Sequence, residues 1–292
     1  RLRTVTGVQT CALPIFLLLL INLFSCNRSE KQYTLNLTVK PNNAGTTIGG
    51  GSYKAGDEIK LSVTPTSGFT FTNWTEGTKI ISANTDFTYT IPSRDVTLSA
   101  NFIKRGIITL QPNAEEGKDT WIYDLRPNNG YGNHTDIAAM TWTNNGTVTK
   151  VRGLIQFDFS AVPENATIDS VKLTLYGYHS PSNGSHSRTG DSNTSTLQRV
   201  TQKWDEYTVT WNNQPKTTNI GEVVLPESTS ETQNYILDVT ESAKFMIENP
   251  SQNFGYILKL TTEECYRSLV FASSDNKNNS IHPRMDIYYS IK

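Results

Sequence analysis

The sequence predicts an all-β protein: a β-sandwich, of the jelly-roll kind, preceded by a small β-repeat domain. Three observations carry this. Runs of alternating apolar and polar residues recur along the chain, at 33–39, 58–63, 96–102, 151–159 and 171–175. Turn signals rich in Gly, Asn and Pro separate such runs, as at 41–43, 49–51 and 127–132. Helical spacing is scarce, while Tyr is frequent (13) and Met rare (3), a composition suited to pleated surfaces.

A chain of 292 residues holds two domains of ordinary size. Its net charge of -1 gives no bulk attraction to polyanions, so a nucleic-acid partner is not expected. Residues 5–15, VTGVQTCALPI, read as one frame of a common sequencing adapter, so residues 1–15 carry no information about the fold. Residues 16–24, FLLLLINLF, are too short to span a bilayer and fit the apolar core of a signal peptide. They lead into Leu23-Phe24-Ser25-Cys26, which resembles the lipobox of bacterial lipoproteins. That resemblance implies cleavage before a lipidated Cys26, and a protein held on the outer membrane or cell surface, facing outwards. With Cys26 lipidated and Cys11 set aside, Cys265 has no partner for an intramolecular disulfide.

Residues 33–102 form the first unit. YTLNLTV at 33–39 and EIKLSV at 58–63 alternate cleanly, and three aromatics, Phe69, Phe71 and Trp74, precede a loop. The order resembles the divergent internalin-B-type bacterial repeat. It matches through Gly51, Tyr53, Gly56, Leu61, Pro65, Gly68, Phe69, Phe71 and Trp74, and again through Tyr89, Ile91, Asp95, Leu98, Ala100 and Phe102. The resemblance implies a spacer or stalk. Trp74 is read as core rather than as a ligand platform. Lys104, Arg105 and Gly106 mark the boundary.

The second unit is 107–292. A strand at 118–123 precedes the Asn129-Gly130-Tyr131-Gly132 turn. The strand of 151–159 sets Val151, Gly153, Ile155, Phe157 and Phe159 on a dry face; Arg152, Gln156 and Asp158 lie on the other, with Leu154. Pro163, Glu164 and Asn165 turn the chain into a strand ending near Leu175, and the hydrophilic stretch 179–195 reads as a surface loop. Asp238 caps a short helix whose stripe is Val239, Ala243 and Met246, stopped at Asn249-Pro250. Strands at 254–260, 268–274 and 285–289 close the unit.

This order resembles the DNRLRE domain, also called carbohydrate-binding module family 96. The matching residues are Asp119-Thr120, Arg152 with Phe157-Asp158-Phe159-Ser160, and Ile168-Asp169-Ser170. Further matches are Trp204-x-Glu206, Thr210-Trp211-Asn212, Asp238-Val239-Thr240, Phe271-x-Ser273 and Pro283. One departure is the extra glycine beside Tyr131. The resemblance implies a non-catalytic polysaccharide-binding module, with acidic glycans such as alginate among its ligands. Polysaccharide-degrading or import proteins are the partners it implies. An adhesin or structural surface module without glycan binding is the alternative.

The candidate ligand residues are Arg152, as a guanidinium fork for a sugar carboxylate, with Gln156, Tyr176, Tyr178 and Tyr131. The competing reading of Arg152 is an internal salt bridge with Asp158 or a neighbouring strand. Trp204 and Trp211 are read as structural. No catalytic residue is expected: the four histidines are scattered, and no G-x-S-x-G or evident carboxylate pair occurs. No metal-ligating set and no cofactor is expected either, apart from loop oxygens of Asp191 and Asn193 that could hold a structural calcium.

Overall fold

The strand Val96–Leu110 runs unbroken for 15 residues across the place where the composition sets a boundary. In the computed structural model, which describes residues 31–291, no linker separates the two units there. The leader and Cys26 lie outside the described residues.

The first unit comprises β1 (Gln32–Lys40), β2 (Gly45–Ile48), β3 (Gly51–Lys54), β4 (Glu58–Pro65), β5 (Phe69–Glu76), β6 (Lys79–Ser82) and β7 (Asp86–Thr90), with the first part of β8 (Val96–Leu110). β1 pairs with β8 in parallel from Leu35↔Val96 to Lys40↔Asn101, and β5 pairs with β8 antiparallel. β2, β4 and β7 form a separate three-stranded sheet. Leu35, Leu61, Trp74, Leu98 and Phe102 fill the core between them. Trp74 is 0% exposed, as the pattern of its neighbours predicts.

The second unit adds β9 (Lys118–Tyr123), β10 (Asp136–Asn144), β11 (Thr147–Gln156), β12 (Thr167–Leu175), β13 (Ser195–Val200), β14 (Thr217–Leu225), β15 (Tyr235–Asp238), α1 (Thr240–Glu248), β16 (Tyr256–Leu260), β17 (Arg267–Ala272) and β18 (Arg284–Ile291). One sheet runs β15-β12-β18-β8 and continues into β1 and β3. The facing sheet runs β14-β13-β16-β11-β10-β17, with β9 also on β11. Between the sheets lie Ile137, Ile155, Phe157, Val171, Leu173, Leu197, Leu258, Phe271, Met285 and Ile287. Burial of such apolar sets is the main favourable term for a fold of this kind. The chain is therefore all-β and sandwich-like, as its alternation predicts. α1 lies where the apolar stripe places it, with Ala243 and Met246 buried, but its N-cap is Val239 rather than the expected Asp238, whose carboxylate accepts the Thr240 backbone N–H at 3.0 Å from one residue further out.

The C-terminal half of β8 pairs with β18 from Leu110↔Met285 to Lys104↔Ile291. At its middle, Gly106 lies opposite Tyr289, and an added Cβ would sit 2.5 Å from that ring. A Gly106→Val protein is expected to lose about 1–3 kcal/mol in urea melts, since a well-packed site must shift to admit the larger side chain.

Candidate functional site

Both faces of β11 are covered, which corrects the expected open polar face. Ile155 and Phe157 enter the main core. Leu154, on the other side, packs with Ile122, Val200, Trp204, Val209 and Ile257 in a second cluster. The segment that starts at Trp204 brings enough apolar surface to close over the strand, so the side chains beside Leu154 become internal ties. The Arg152 guanidinium forms a two-pronged pair with Glu263 (2.6 and 2.8 Å), donates to Gln214 Oε1 (2.8 Å) and lies 4.6 Å from the Trp211 ring. Burial would raise the Glu263 pKa, but the Arg152 hydrogen bonds and the charges of Arg152 and Lys150 outweigh it and hold it low. The internal salt bridge weighed for Arg152 exists, with Glu263 rather than Asp158. Gln156 accepts from Lys118 Nζ (2.8 Å) and donates to the Asn253 carbonyl (2.8 Å). Both side chains are part-buried and engaged in bonds within the fold.

Tyr176 and Tyr178 follow β12 out of its sheet and onto the free edge of β17. The Tyr176 carbonyl accepts from Ala272 N–H (2.9 Å), the Tyr178 N–H donates to Val270 (3.1 Å), and Gly177 bridges to Phe271. Gly177 has to be glycine, because a Cβ would lie 2.4 Å from the Thr232 backbone. Both residues are half-buried, and neither is among the residues that line the groove described next. Tyr131 is placed differently: its ring stacks on Trp121 at 3.8 Å and 16°.

Trp121 belongs to a groove of about 590 Å³ that the sequence reading did not find. It is lined by Trp121, Tyr123 and Trp142, with Met140 and Val151, and by the segment 182–187 and Glu231. Trp121 and Tyr123 project from the same side of β9 because they are two residues apart. Trp142 is half-buried, with its ring edge-to-face on Tyr266 at 5.2 Å. The Trp121 indole N–H, though buried, has no protein acceptor. Asn183 is held by Asp136 Oδ2 at 2.6 Å, and burial raises the Asp136 pKa. Ring faces with a few fixed amides and hydroxyls are the make-up of a small-molecule or oligosaccharide subsite.

The segment 182–187 is more than the surface loop expected. Ser187 bridges to Ser268, and His186 is buried. Its Nδ1 accepts from Val270 N–H at 2.9 Å while Nε2 lies 2.9 Å from the Gln233 carbonyl, which fixes the neutral Nε2–H tautomer. Burial lowers its pKa; the Gln233 carbonyl opposes this more weakly. A folded value below the ordinary 6.5 or so means that the unfolded chain takes up the proton first. The stability His186 contributes is therefore complete above about pH 6.5 and is lost as pH falls from there through its folded value. A His186→Asn protein, which keeps an acceptor for Val270, is expected to show a shallower fall in melting temperature between about pH 7 and pH 5 than the wild type.

The calcium reading of Asp191 and Asn193 fails on geometry. Asn193 is fully engaged with Ser228 and the Ser268 carbonyl, and Asp191 faces Arg267 at 3.8 Å. A different acidic set comes together instead: oxygens of Asp119, Glu206 and Asp275 lie within 4.8 Å of one another. Burial pushes the Asp119 carboxyl up to about 7, although Ser274 donates to it. None of the three lines the groove.

The fold is that of an all-β sandwich. Residues 111–287 match the family profile of carbohydrate-binding module family 96, and residues 35–106 match that of the divergent InlB B-repeat domain. The first match spans more than half of the chain, which belongs to carbohydrate-binding module family 96. The curated proteins include no match to it.

Proposed function

We propose that this protein is a cell-surface lipoprotein that holds polysaccharide, without cleaving it, in the groove of Trp121, Tyr123 and Trp142. The observation that carries this reading is the groove itself, lined by aromatic rings together with amide and hydroxyl groups, in a member of a carbohydrate-binding family. Aromatic faces cover the apolar C–H faces of sugar rings, while polar groups fix their hydroxyls. Among the described residues that line the groove, Glu231 is the charged one, and no Lys or Arg joins it. A polyuronate such as alginate would meet repulsion there, so an uncharged glycan is the better fit. Affinity electrophoresis of the purified protein through gels containing alginate, pectin or a neutral glucan tests this. Retardation is expected in the neutral gel. No retardation in any gel, or retardation by alginate alone, overturns the groove as the site.

Support for the anchor comes from the lipobox-like Leu23-Phe24-Ser25-Cys26. A Cys26→Ser protein is expected to leave the membrane fraction, because it has no thiol to carry the lipid. Partner enzymes or importers would then receive glycan already concentrated at the surface.

A further inference from the structure

We infer that Asp119, Glu206, Asp275 and Ser274 form a binding site for one divalent cation, calcium by the chemistry of its donors. The three carboxylates come from segments far apart in sequence: the start of β9, the segment after β13, and the turn after β17. Asp119 is 2% exposed and Glu206 8%, so water screens their mutual repulsion poorly. Among the described residues, no salt bridge reaches any of the three. The Lys118 ammonium acts on Glu206 through its charge, but its hydrogen bonds go to Gln156 and the Trp204 carbonyl, while His134 and His282 lie on the side of Asp275. Protein donors engage part of the set: Asp119 N–H on Glu206 Oε1 (2.9 Å), and Ser274 N–H on the Asp119 carboxylate (3.0 Å).

A second observation points to a ligand. Ser274 is 1% exposed, and its hydroxyl, close enough to the Asp119 carboxylate to lower its pKa, has no partner at full hydrogen-bond geometry. Buried hydroxyls left without a partner are rare in native proteins, and this one lies against a set of three carboxylates. Gly117 keeps the space beside it clear, since a Cβ there would lie 2.0 Å from Ser274 Oγ. Oxygen donors with no sulfur or imidazole among them are the preference of a hard cation, and an all-protein carboxylate set suits calcium better than magnesium, which keeps most of its waters.

Such an ion would fasten the segment over β11 to the rest of the sandwich. It would also fix the bed of Tyr131, because the Glu206 and Tyr207 backbone packs directly on Gly130 and Gly132.

The test needs no glycan. Protein stripped with EDTA is titrated with CaCl2 by calorimetry, and its melting temperature is followed in parallel. One site per chain is expected, with Kd near the 0.1–1 mM range of extracellular modules or tighter and a rise in melting temperature on saturation. Asp275→Asn, at the half-buried edge of the set, should weaken calcium at least about tenfold with an unchanged circular dichroism spectrum, and Glu206→Gln should do the same. Absence of binding by the stripped wild type at about 5 mM calcium, beyond that range, overturns the site. So does wild-type affinity in both variants.

Discussion

Replacing Trp142 with alanine is expected to lower glycan affinity on the order of thirtyfold while leaving the melting temperature close to that of the wild type. A central aromatic anchor at an interface is worth on the order of 2 kcal/mol, and 1.4 kcal/mol corresponds to about tenfold. Trp142 can supply that energy because it is not spent on the fold. It is half-buried, belongs to none of the core clusters, and has one aromatic neighbour, Tyr266. Trp121 makes the contrast. It is 5% exposed and packs with Ala138, Val151 and Val270 under the Tyr131 ring, so Trp121→Ala should lose stability and binding together. Calorimetric titration with the glycan that retards the wild type reads both variants. Wild-type affinity in Trp142→Ala would remove the groove from the binding reaction.

What the sequence could tell about this site depended on how local the signal was. Strands with one wet face, such as β1, β4 and β12, were legible from alternation, and the strand that carries Trp121 and Tyr123 was legible too. β10 was missed because Ile137, Ala138 and Ala139 are all buried, which erases alternation, and alanine carries little preference for strands. Trp142 was hidden with it. β14 is interrupted at Gly221, whose φ of 71° breaks the period-2 pattern. The polar face of β11 was read correctly as a row of side chains and misjudged as a surface. Its cover comes from Trp204 and Val209, about 50 residues later in the chain, and nothing in β11 announces them. The acidic set escaped for the same reason: Asp119, Glu206 and Asp275 meet only once the sheets have formed. Their one local trace is the place of Asp119 and Glu206 in the residues that carry the family resemblance.

The closing of β11 sets the second large effect, on Arg152. An Arg152→Met protein is expected to lose about 2–3 kcal/mol in urea melts at neutral pH while keeping its glycan affinity. Breaking a buried ion pair costs about 3–5 kcal/mol because one charge is left unpaired. Here the arginine side chain keeps 22% of its exposure and Glu263 17%, and Lys150 remains 3.4 Å from Glu263, so the loss should fall below that range. The pH dependence follows from Glu263. Its folded pKa lies below the ordinary glutamate value of about 4.3, so the stability it contributes is complete above that value and is lost as pH falls through the folded one. Without Arg152 that depression shrinks, and the gap between variant and wild type should narrow as pH is lowered from about 6 to 3. A second change decides whether the unpaired carboxylate causes the loss. If it does, Arg152→Met with Glu263→Gln will be more stable than Arg152→Met alone, since the buried charge is gone. If the double variant is the less stable one, Arg152 acts instead through its contacts with Trp211 and Gln214. Reduced glycan affinity in a folded Arg152→Met protein would return the binding site to the face of β11.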